Sequence, residues 1–225
     1  MRDTGSPSVL ACIYTCEAHR PLLERFHDSE PGRVLRDSGN TRVIEVYADP
    51  TVEASRLRGD RLDLRTEERY DALSIKTHRM IEFCTDNLEF STLLKIDVTT
   101  VMSRMDGPEY AGRLAMDQEA LAQFLREVDL GHDYAGFMCH ERADRSGAEG
   151  WAAKKGGVID YSRLFGDGPM PRFFSGKCYL LSRRFATYVA RHGADLADEQ
   201  REYFLGSEDV MIGRLFQRFQ AEGEN

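Results

Sequence analysis

The chain has 225 residues and a formal charge of −8, with 41% hydrophobic and 30% charged residues. That size and balance suit one soluble α/β domain with a substantial core, and they exclude a protein that follows nucleic-acid backbones, which needs a basic face. No apolar run approaches the roughly 18–20 residues of a bilayer span, and the start "MRDTGSPSVL" lacks the apolar stretch of a secretory leader.

Taken in order, "SVLACIYT" (8–15) is continuously apolar, as a central strand covered on both faces should be. "CEAHRPLLERF" then breaks the strand and restarts as a helix around Pro21, a residue tolerated in a first turn. "TRVIEVYADP" (41–50) reads as a second strand, and the polar, Gly-containing residues 51–66 read as loop. Over 67–86, Tyr70, Leu73, Thr77, Met80, Ile81 and Cys84 recur at three- and four-residue steps, predicting an amphipathic helix.

"STLLKID" (91–97) is the third strand, and "DQEALAQFLREVD" (117–129) a helix with Leu121, Phe124, Leu125 and Val128 inward. "DYAGFMCH" (133–140) reads as a strand, and 142–157 as a Gly-rich charged loop long enough to suggest a function. "RFFSGKCYLLS" (172–182) is apolar around a small-residue break, a helix is expected over 183–192, and "SEDVMIGRLFQRF" (207–219) opens as a helix N-terminus should. The alternation predicts a mostly parallel sheet flanked by helices, in one domain spanning 1–225. Thr15, Asp49 and Asp97 each follow a strand, so all three fall on the carboxyl-end rim where open α/β sheets bind ligands. The five cysteines, Cys12, Cys16, Cys84, Cys139 and Cys178, show no zinc spacing and read as reduced packing residues. None of the six histidines pairs at metal-ligand spacing.

Four stretches in one order resemble glycosyltransferase family 31, the β-1,3-galactosyl and N-acetylglucosaminyl transferases related to Fringe. "GDRLDLRTEERYDALSIKT" (59–77) is similar to the family's Gly-Asp followed by a Tyr-Leu-Thr-Leu-Lys-Thr run. "LLKIDVTTV" (93–101) stands where the family has Lys-x-Asp-Asp-Asp. "FFSGKCYLLS" (173–182) resembles Ser-Gly-Gly-Gly-Tyr-Val-Leu-Ser, and "SEDVMIG" (207–213) resembles Glu-Asp-Val-x-x-Gly. The resemblance implies a GT-A-type nucleotide-sugar-binding fold, a UDP-sugar donor, a glycan or glycoconjugate acceptor, Mn²⁺ or Mg²⁺, and inversion at the anomeric carbon.

Carried onto this chain, the resemblance makes Asp209 the base and Glu208 its supporting or acceptor-binding neighbour. It places Asp97, Thr99 and Lys76 at the donor, with Asp97 as the metal ligand, and Ser175 and Gly176 at the acceptor. On chemical grounds Arg20 suits a diphosphate and Asp49 a uracil or ribose; Thr15 lies on the same rim. Trp151, the only tryptophan, offers a rigid face to a sugar, and Lys155 a charge beside it. Two departures stand out: Val98 and Thr99 replace two of three acids, and Lys177 and Cys178 replace two glycines. Three outcomes stay open: Asp97 holds the metal alone, basic side chains replace it, or the site is weak or silent. The alternative function is therefore a binding module that retains nucleotide-sugar or glycan affinity; another nucleotide-dependent α/β enzyme ranks below it. The absence of an anchor in this chain points to the cytoplasm or a membrane periphery.

Overall fold

The computed structural model describes residues 8–98, 102, 111–141, 145–154, 157 and 159–223. Strand β1 (Val9–Tyr14) is buried at every position and lies between two parallel neighbours, β2 (Thr41–Ala48) and β5 (Thr92–Asp97). The register pairs Tyr14 with both Val46 and Asp97, so Thr15, Asp49 and Asp97 do share the carboxyl-end rim. Between β2 and β5 the chain forms β3 (Arg56–Arg58) and β4 (Arg61–Leu64). The full sheet runs β3-β4-β2-β1-β5-β9-β6, where β6 is Tyr134–Gly136 and β9 is Cys178–Ser182. β4, β2, β1 and β5 are parallel; β3, β9 and β6 run against their neighbours.

Side chains alternate across a strand, and here the alternation divides the core in two. Leu10, Cys12 and Tyr14 of β1 face helices α3 (Leu73–Asn87), α7 (Arg183–His192), α8 (Ala194–Tyr203) and α9 (Glu208–Ala221). Val9, Ala11 and Ile13 face α1 (Arg20–Asp28), α2 (Glu30–Asp37) and α4 (Ala111–Glu127). The same parity in β5 puts Leu93 on the α3 side and Leu94 and Ile96 on the other. Lys95 and Asp97 therefore share the side covered by α9, whereas Val98 is buried in the opposite cluster. Each fully buried Leu or Ile contributes about 1.5–3 kcal/mol, so this two-sided packing fixes the register that aims Asp97.

Residues 51–66, expected as loop, hold the β3–β4 hairpin instead. Gly59 at φ 61° makes its turn, and Leu62 and Leu64 enter the core. Asp63 is buried between Arg58 (2.5 Å) and Arg61 (2.6 Å). Burial pushes its carboxyl up, but the two guanidiniums outweigh that and hold its pKa below the usual range. Residues 142–157, also expected as loop, carry helix α5 (Arg145–Lys154). Tyr70, expected on the apolar face of α3, lies in a 3-10 turn before it and is 49% exposed.

The expected strand over 133–140 divides between β6 and β7 (Cys139–His140), and β7 pairs with β8 (Phe173–Phe174) in a separate two-stranded sheet. At Gly136 any side chain would strike Phe174, so β6 and β8 approach closely there. A short helix α6 (Tyr161–Phe165) lies between α5 and β8. All five cysteines are free thiols. No described helix is long and apolar enough to cross a membrane.

Candidate active site

At the end of β5 a cavity of about 510 Å³ opens between the Ser175–Lys177 turn, the α8–α9 junction and α5. Its polar floor is Asp97, Ser175, Gly176, Lys177, Glu208 and Asp209. Its apolar wall includes Trp151, Phe173, Phe204 and Val210, part of a small third core cluster. Trp151 stacks on Phe204 with centroids 5.9 Å apart and planes at 19°.

The floor is assembled around one buried ammonium. Lys95 is 0% exposed; its Nζ donates to Glu208 Oε1 at 2.8 Å and to Gly176 O at 2.5 Å. The rings of Tyr14 and Tyr179 lie 4.7 and 5.5 Å from it. Burial works against the charge on Lys95, but Glu208 and then Asp97 outweigh it and raise the pKa. Glu208 is raised as well, by burial and by the like charge of Asp209, against the pull of Lys95. Three carboxylates, Asp97, Glu208 and Asp209, share this floor with the buried Lys95 ammonium. The half-exposed Tyr70 phenol feels the same charge, pushed up to about 12 by desolvation and by Glu208, Asp209 and Asp97.

Asp209 is held rigidly at the start of α9. Its Oδ1 accepts from Ser207 Oγ (2.8 Å) and Val210 N (2.9 Å), and its Oδ2 from Gly176 N (3.1 Å). A carboxylate has about four lone-pair sites, so one remains for an incoming hydroxyl. Gly176 is clamped on both sides, its carbonyl by Lys95 and its N–H by Asp209, and a methyl group there would collide with Glu208 Oε1. Just upstream, Leu205 (φ 52°) and Gly206 (φ 68°) are consecutive left-handed residues. A side chain at 206 would strike the carbonyl of Asp71, so glycine is required there. Leu205 is the unusual one: a bulky residue in this region costs on the order of 1–3 kcal/mol and tends to mark functional sites.

Of the residues singled out by sequence, Asp97, Trp151, Ser175, Gly176, Glu208 and Asp209 line this cavity together. Thr15, Arg20, Asp49 and Lys76 do not. Lys76, buried rather than solvated, donates to Thr15 O (3.0 Å) and pairs with Glu68 (2.8 Å) beneath the rim; burial holds its pKa below the ordinary value. Asp49 closes a local turn on Thr51, and Arg20 lies on the exposed face of α1, 3.7 Å from Glu24. Thr99 and Lys155 lie outside the described residues. Trp151 sits on helix α5, not in a loop. Sequence reasoning missed Lys95, although a lysine inside an apolar strand was the available signal.

The described residues do not by themselves make a resident metal centre. No group of three or more His, Cys, Asp or Glu among them is arranged to hold an ion. Val98 points into the far core and cannot reach the cavity, which leaves Asp97 as the acid at the strand end. Chemically, the arrangement can accept a proton at Asp209, stabilise positive charge near three carboxylates, and stack a ring against Trp151.

No individual curated protein matches the chain. The family model described as galactosyltransferase matches residues 45–225, from β2 through α9 and so through every lining residue of the cavity. Together with the mixed α/β sheet of GT-A-like design and the four ordered motifs, that match shows that the chain belongs to the galactosyltransferase family and is a glycosyltransferase by kinship.

Proposed function

We propose that the chain is a single-domain inverting transferase that moves a hexose from a UDP-sugar to a hydroxyl of a glycan or glycoconjugate. The observation that carries this reading is the placement of Asp97 and Asp209, 112 positions apart in sequence, in one cavity with Glu208. In the reaction, Asp209 takes the proton of the acceptor hydroxyl as that oxygen attacks the anomeric carbon. The bond from that carbon to the diphosphate oxygen breaks on the opposite face, so configuration inverts and UDP leaves. The oxocarbenium-like centre gains from the nearby carboxylates. Lys95 and Glu208 set the floor beneath it, and Trp151 receives the acceptor's C–H face.

The test is a panel of UDP-sugars, with and without Mn²⁺, read by thermal shift and by UDP release in the presence of glycan acceptors. At least one donor is expected to raise the melting temperature, by mass action, and to turn over. Dependence on Mn²⁺ that is lost in Asp97→Asn would assign Asp97 as its protein carboxylate. Stabilisation without turnover would favour the silent binding module, the reading that the buried Val98 supports. No stabilisation by any UDP-sugar would reject the transferase and the nucleotide-sugar-binding form of the module.

A further inference from the structure

A second cavity, of about 460 Å³, lies on the other side of β8. Consecutive strand residues face opposite ways: Phe173 lines the candidate active site and Phe174 lines this one. Helix α9 bridges the two, giving Asp209 and Val210 to the first and Gly213, Phe216, Gln217 and Gln220 to the second. At Gly213 a side chain would strike Arg172 O and Phe173, so strand and helix are in close contact between the two cavities.

The second cavity has the make-up of a ligand site: a few hundred Å³, aromatic walls and a few polar groups. Tyr134, Phe174 and Phe216 meet edge to face, with centroids 4.8 and 5.2 Å from Tyr134. Tyr134 is 7% exposed; its hydroxyl oxygen accepts the Phe174 N–H at 3.0 Å, and no described residue accepts the hydroxyl's own proton. The side-chain amides of Gln217 and Gln220 are exposed at the mouth. At the rim Arg172 pairs with Glu141 at 3.0 Å, and His132 Nε2 lies 3.8 Å from Asp129. What the lining adds beside these is neutral: the partly exposed rings of Phe174 and Phe216, and two amides that each donate and accept. That set fits the C–H faces and vicinal hydroxyls of a sugar.

We propose that this cavity is a second glycan subsite, binding a neutral oligosaccharide such as the non-reacting part of an extended acceptor. Naming a glycan as occupant rests on the transferase reading above; the cavity and its lining do not. The experiment is saturation-transfer NMR on the full chain with lactose, N,N′-diacetylchitobiose and a uronate-containing disaccharide. It is run on the wild type and on Gln217→Ala/Gln220→Ala, with circular dichroism to verify folding.

A neutral disaccharide is expected to bind the wild type. Loss of two hydrogen-bonding amides should weaken it about tenfold in the double variant. Absence of saccharide binding, equal binding by the double variant, or binding of the uronate alone would each overturn the proposal. UDP-sugar stabilisation is read on the same samples. Its loss with disaccharide binding intact would strike the catalytic reading alone, and the converse would strike this one alone.

Discussion

Asp209→Asn is expected to lower transfer by about 10²- to 10⁴-fold, the usual worth of a positioned general base, while UDP-sugar binding stays within about twofold, under 0.5 kcal/mol. The asparagine oxygen can keep the bonds from Ser207 Oγ and Val210 N, but its NH₂ then meets the Gly176 N–H, donor against donor. The variant should therefore fold with a small local cost and an intact donor site. Steady-state kinetics beside a donor titration separates the two effects. Near-normal turnover would remove Asp209 from the role of base. A parallel loss of donor binding would show that it holds the site's shape instead.

Lys95→Met is the larger structural perturbation. It leaves Glu208 buried with its counter-charge gone, and breaking one side of a buried ion pair costs about 3–5 kcal/mol. Against a typical total of about 5–15 kcal/mol, the variant should remain folded but with a much lower urea midpoint. The loss should depend on pH. In the variant, burial and Asp209 raise Glu208 with nothing to oppose them, so the folded state binds its proton more tightly than the unfolded state does. A raised carboxyl contributes stability at low pH that disappears as pH rises through its folded pKa. The deficit should thus be smallest below about pH 4 and grow toward neutrality. Adding Glu208→Leu should recover most of the stability, because replacing both members of a buried pair by apolar groups is often near neutral. A single-variant cost under about 1 kcal/mol, within the range of an exposed pair, would mean that Lys95 does not organise the floor.

Much of this was legible in the sequence because it rests on period and order. The all-apolar run of β1 could only be a central strand, and the alternation in "LLKID" placed Asp97 at the rim. Alternation also held the key to Val98: one residue past Asp97, it must face the opposite side of the sheet. The β3–β4 hairpin was hidden because Arg58 and Arg61, which read as loop residues, neutralise the buried Asp63. Helix α5 was hidden because its fully buried residues are Ala148 and Ala152, too small to register against the surrounding glycines and charges. Of the candidate donor residues, Arg20 and Asp49 were chosen for charge and rim position, and neither property fixes where a side chain points. Leu205 could not have been found, since nothing in a leucine announces a left-handed backbone.

The most direct measurement is a crystal structure with a UDP-sugar and an unreactive acceptor bound. The account predicts the diphosphate beside Asp97 and the anomeric carbon in the cavity of Trp151 and Glu208, with Asp209 within hydrogen-bond reach of the acceptor hydroxyl. A nucleotide seated outside that cavity, or a sugar ring that leaves Asp209 out of reach of the acceptor, would contradict it.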